Sequence, residues 1–103
     1  MNSPPRFARP HQLPPMLNGT QLADWMALSR VHAGAVTHRR KQYLDGGQPM
    51  PGYLVPGLLF DALLLVGLLT LAPPDEDDQA ALSLTDTGHA RYEKLRKLRS
   101  GRA

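Results

Sequence analysis

One hundred and three residues make one small domain with tails, too few for separate catalytic and regulatory modules. Apolar residues are 42% of the chain and charged ones 20%, which suits one modest core, and the lack of cysteine excludes disulfides, thiolate catalysis and cysteine-ligated zinc. The net charge of +3 hides basic ends around an acidic middle: residues 44–89 carry seven acids and no Lys or Arg.

Residues 1–17 contain Pro4, Pro5, Pro10, Pro14 and Pro15. Proline lacks an N–H and biases its predecessor away from the helix, so an extended, disordered basic arm is expected there. Its start has no apolar h-region of a secretory signal.

Helix signals begin at Asn18-Gly19-Thr20, where Asn18 or Thr20 can cap. Leu22, Trp25, Met26, Ala33, Val36, Tyr43 and Leu44 then recur at roughly helical spacing, with Asp24, Arg30, His38, Arg39 and Lys41 on the polar face. Gly46-Gly47 and Pro49 close the pattern. Residues 20–45 are expected as one long helix or as two, with Ser29 as an internal cap and Gly34 weakening continuity. The apolar members of this stretch, Trp25 above all, are expected as core or interface anchors.

Residues 48–56 hold three prolines and read as a loop with one helical turn. The run 54–72 is the most apolar in the chain. Pro56, Asp61 and Gly67 argue against a membrane span, which needs about 20 apolar residues. A helix over 57–67 leading into a strand over 68–72 is expected instead. Leu59, Leu63 and Val66 form one stripe, Leu58 and Leu65 another. One stripe fills a core this small, which leaves the second for an interface.

Asp75, Glu76, Asp77 and Asp78 follow Pro73-Pro74 and form an acidic turn. Residues 80–85 alternate apolar and polar with period two and read as a strand, so a β-hairpin is expected. Thr85 or Asp86 caps a last helix whose stripe includes Ala90, Leu95 and Leu98, with Tyr92 nearby. That helix carries Arg91, Lys94, Arg96, Lys97 and Arg99, which read either as a phosphate-binding set or as a solvated face.

Asp61-Ala-Leu-Leu-Leu-Val-Gly67-Leu68-Leu69, the acidic turn, and Leu82-Ser-Leu84-Thr85-Asp86-Thr-Gly88-His-Ala90 together resemble the winged helix-turn-helix domain of MarR-type bacterial regulators, over residues 57–98. The resemblance implies an α+β fold, mainly helical, with one small β-hairpin as the wing and a C-terminal helix. It also implies DNA binding, with the helix before the wing in the major groove and a basic wing tip. Here that helix offers no Arg, Lys, Asn or Gln to read base edges, and the turn carries four carboxylates. Residues 21–40 also fit a helix-turn-helix template in part: Ala23 is small, Ala27 takes the turn, Ser29 the cap and Val36 the buried position. The second helix would present Arg30, His32, His38, Arg39, Arg40 and Lys41.

The four histidines are scattered, and Asp75–Asp78 lacks the ligand spacing of a calcium loop, so no metal is expected. No phosphate loop, paired-carboxylate constellation or Ser/His/Asp order is present, so neither a cofactor nor an enzyme is expected. The sequence thus points to a winged-helix domain over 18–99 with a tail at 100–103. Arginine outnumbers lysine nine to three, and Ala, Gly and Pro are abundant, which suits a bacterial cytoplasm. The expected function is a small DNA-binding homodimer, a transcription regulator or a plasmid or phage accessory factor. Double-stranded DNA would be met by Arg30, His38, Arg39, Arg40, Lys41, Arg91, Lys94, Arg96, Lys97 and Arg99. The alternative is a protein-interaction module that binds a basic partner through Asp75, Glu76, Asp77, Asp78 and an apolar surface of Trp25, Leu58 and Leu65.

Overall fold

The computed structural model describes residues 17–101, so the arm expected over 1–17 lies, but for Leu17, outside the described residues. Helix α1 (Gly19–His32) starts at a capping box. Asn18 Oδ1 accepts from the Gln21 N–H at 2.8 Å, and Gln21 Oε1 accepts from the Asn18 N–H at 3.0 Å. Its buried face is Ala27, Leu28 and Val31. The chain then leaves the helix through Gly34, at φ 80°.

Beyond that glycine the chain is extended, not helical. Strands β1 (Val36–Arg39) and β2 (Gln42–Asp45) pair antiparallel, from Val36 opposite Asp45 to Arg39 opposite Gln42. The expectation of one or two helices over 20–45 is therefore corrected. The β-branched pair Val36-Thr37 suits a pleated strand better than a helix face. The second helix of the template over 21–40 does not form. Gly46-Gly47, both at positive φ, turn the chain into β3 (Gln48–Pro49) rather than ending a helix.

Helix α2 (Gly57–Leu65) is shorter than expected by two residues. It closes in a Schellman arrangement: Gly67 lies at φ 82°, the Leu68 N–H donates to Leu63 O at 2.9 Å and the Gly67 N–H to Leu64 O at 3.2 Å. Strand β4 (Leu69–Leu71) and strand β5 (Gln79–Leu84) form the expected hairpin. Thr85 caps helix α3 (Asp86–Ser100), its Oγ1 accepting from the Gly88 N–H at 3.0 Å.

The five strands make one antiparallel sheet in the order β3-β2-β1-β5-β4. Among the described residues the fold is α+β with three helices. "Mainly helical with one small hairpin" understates the sheet, because β1 brings a second hairpin to it. Register places Val36, Tyr43, Ala80, Leu82 and Leu69 on one sheet face. Against it pack Leu28 and Val31 from α1, Phe60 and Leu63 from α2, and Leu95 from α3. Thr70, Ala81 and Ser83 stand exposed on the reverse face. On α2 the buried residues are Phe60 and Leu63; Val66, expected inside, is 66% exposed because it caps the helix beyond the packed turns. Ala90 is likewise exposed, since α3 packs through Gly88 and Leu95. Among the described residues no helix is long and apolar enough to cross a membrane.

Candidate functional site

The β1–β2 turn gathers the densest run of polar and basic residues: His38, Arg39, Arg40, Lys41 and Gln42. Two-residue hairpin loops whose central residues both have positive φ match the right-handed twist of their strands, and Asn-Gly usually fills them. Here Arg40 (φ 50°) and Lys41 (φ 65°) take those positions. Left-handed backbone costs an L-residue with a full side chain about 1–2 kcal/mol. Both side chains are exposed, and neither makes an ion pair among the described residues. His38 lies tilted against Tyr43, ring centroids 4.8 Å apart, so it is anchored on the sheet face that the helices cover.

The acidic loop stands beside this tip, because Arg39 pairs with Gln79 at the start of β5. Arg39 Nε donates to the Asp77 carbonyl oxygen at 3.0 Å. Asp75 staples the loop internally: one carboxylate oxygen accepts from the N–H groups of Asp77 (2.8 Å) and Gln79 (3.0 Å). Asp78, at φ 62°, completes the reversal. A groove of about 490 Å³ separates the two tips, with His38, Arg40 and Lys41 on one side, Asp78 and Pro74 on the other, and Leu71 and Ala80 between. Basic and acidic clusters that the sequence separates by some 35 positions thus share one end of the sheet.

The other basic residues divide into engaged and free. Arg30 forms a two-point pair with Asp45, Nε at 2.9 Å and Nη2 at 2.7 Å, which ties α1 to β2 and raises the guanidinium pKa further, through the hydrogen bond first and the charge second. Arg91 bonds Asp24 at 3.0 Å and joins α3 to α1. Arg96 holds Glu93 at 2.8 Å, and the Glu93 carboxyl is lowered accordingly, chiefly by that hydrogen bond. Arg99 caps a ladder of rings, 5.3 Å above Trp25, which stacks on Tyr92, which stacks on His32. Trp25 therefore joins α1 to α3 within the chain. Lys94 and Lys97 are exposed and make no ion pair among the described residues.

Helix α2 presents Leu58 (80% exposed) and Leu65 (87%) to the outside. The buried Tyr43 hydroxyl donates to Asp61 Oδ1 at 2.5 Å, and burial first, then this carboxylate, pushes the phenol pKa up. Of the residues singled out from the sequence, the structure brings His38, Arg39, Arg40 and Lys41 together with Asp77 and Asp78, and leaves Arg30, Arg91, Arg96 and Arg99 as intramolecular ties. Sequence reasoning misses Gln42, which shares the tip, and Asp61, fixed by Tyr43. Val36-Thr37 followed by Tyr43 is the strand signal that points to the first. No group of three or more His, Asp or Glu is placed to hold a metal ion among the described residues. No family model matches the chain, and no curated protein or solved structure matches it.

Proposed function

We propose that this chain is a small DNA-binding protein of winged-helix type, a transcription regulator or a plasmid or phage accessory factor, that meets DNA with the tip of its β1–β2 hairpin rather than with α2. The winged-helix reading is supported by chain order: α2 directly precedes the β4–β5 hairpin, and β1, from before α2, pairs with β5. The DNA reading rests on one observation, the exposed Arg40 and Lys41 held at positive φ at the β1–β2 turn. Arg and Gln are residue types that read guanine and adenine edges in the major groove. Backbone strain of this kind concentrates at functional positions. Lys94 and Lys97 add phosphate contacts from α3. Arg30, Arg91 and Arg96 leave the DNA-binding set, since each holds a carboxylate of its own chain.

The test is fluorescence anisotropy with a mixed-sequence duplex of roughly 30 base pairs at about 50 and about 200 mM salt. Binding weakens steeply with salt, and Arg40→Glu with Lys41→Glu abolishes it, whereas Arg30→Ala leaves the salt slope unchanged. No binding at the lower salt, or equal binding by the charge-reversed protein, overturns the reading. A second reading, a module that binds a basic protein, is favoured by the exposed carboxylates of Glu76, Asp77 and Asp78 on a stapled loop. Neutralising those three strengthens DNA binding under the first reading and abolishes partner capture under the second.

A further inference from the structure

We infer that the outer face of α2 is the contact surface for a second copy of this chain, in a closed two-fold dimer with the two α2 helices antiparallel. The helix buries Phe60 and Leu63 and exposes Leu58, Asp61, Ala62, Leu65 and Val66. On a 3.6-residue helix, Leu58, Ala62 and Leu65 fall on one stripe. Leu58 is 80% exposed, Leu65 87% and Val66 66%, fractions usual for charged residues and not for leucine. Tyr53, on the turn that leads into α2, is 88% exposed.

Three features select a second copy over another occupant. The stripe is nearly palindromic: turned end for end about its middle, it places each Leu58 against the partner's Leu65, with the small Ala62 near the axis where two helices must approach closely. The border also carries no net charge: beside Leu58 lies a groove of about 400 Å³ lined by Lys41 and Asp61, one charge of each sign. An isologous interface meets its own surface, and a border strongly of one sign would repel its copy. The apolar area is also large for a helix of nine residues: Leu58 and Leu65 stand 80% and 87% exposed on it, with Val66 at 66% on its cap, a contribution toward the roughly 800 Å² per partner of a standard interface. A strongly acidic or basic partner finds no matching field on this face.

Sedimentation equilibrium of the full chain over a concentration series is the test. The expected mass is twice the 11.3 kDa of the chain. Leu65→Glu, and separately Leu58→Glu, yield the monomer with an unchanged far-ultraviolet spectrum, because both side chains project into solvent and take no part in the core. A monomeric wild type at about 100 µM, a concentration that populates any dimer of micromolar affinity, overturns the inference. So does a dimer that survives Leu65→Glu, which places the interface elsewhere, or growth beyond the dimer, which breaks two-fold closure.

Discussion

Gly88 sits in the first turn of α3 against the α2–β4 connection, and Gly88→Ala isolates the energetics of that contact. A Cβ built there lies 2.0 Å from the Leu68 carbonyl oxygen, 3.0 Å from its carbon and 3.4 Å from Leu84 Cβ. The obstacle is backbone, so no rotamer change relieves it: α3 and the segment after Gly67 must separate by more than 1 Å, as ordinary contact distances of about 3.5 Å require. Forcing extra volume into packed structure costs about 1–3 kcal/mol. Separation also loosens two bonds that lock the same place, Thr85 N–H to Leu68 O at 3.1 Å and Thr85 Oγ1 to Gly67 O at 2.6 Å, each worth about 1 kcal/mol. Against this stands the helix preference for alanine, at most about 1 kcal/mol. The net is about 3 kcal/mol of destabilisation, a large share of a total of about 5–15 kcal/mol. Urea unfolding followed by circular dichroism measures it, with an unchanged m-value and a thermal midpoint lower by roughly 12–24 °C. Gly52→Ala is the control: it meets nothing within 4 Å and stays within about 0.5 kcal/mol of wild type. Gly88→Ala as stable as that control, or more stable than wild type, refutes the steric argument, because helix preference alone would then have decided the sign.

Arg40→Asn with Lys41→Gly relieves two strained positions and raises stability by about 1–2 kcal/mol while weakening DNA binding, so urea unfolding and anisotropy move in opposite directions. Arg30→Ala lowers stability by up to about 1 kcal/mol, because its pair with Asp45 is half-exposed, and unfolding at high salt narrows the difference. The raised Tyr43 phenol gives an alkaline limb to stability: the native state holds this proton more tightly than the unfolded chain, so stability is fully present below the ordinary tyrosine value near 10 and is lost as pH rises beyond it. Tyr43→Phe removes that limb, which urea midpoints measured between about pH 8 and pH 11 detect.

The second half of the chain is legible from its residues. Gly67 takes the left-handed geometry, Leu82 and Leu84 alternate with polar neighbours, and Thr85 caps. Each of these signals acts through nearest neighbours, so a one-dimensional reading captures them. The stretch from Val36 to Asp45 misleads for a physical reason. Val36, Tyr43 and Leu44 satisfy a helical spacing as well as two short strands, and the turn between the strands carries Arg40-Lys41 where local preference asks for Asn-Gly. The β1–β5 pairing overrides that preference, a term no local window contains. The same pairing brings Arg39 to Asp77, so the acidic loop's place beside the basic tip is fixed only by the strand order. Arg30 and Arg91 look like solvent cations in the sequence because Asp45 and Asp24, their partners, lie 15 and 67 positions away.

The margins of the sheet determine how this molecule can aggregate. One outer strand, β3, is two residues long and ends in Pro49, which has no N–H to offer a newcomer. The opposite outer strand, β4, is three residues long and runs through Ala72 into Pro73-Pro74. Neither rim supplies a ladder long enough to template a foreign strand, so fibrillar growth along the hydrogen-bonding direction is arrested at both sides. Self-association is left to side chains on helices, where contact geometry limits the number of copies, and a crowded solution of the native protein is expected to stay free of amyloid.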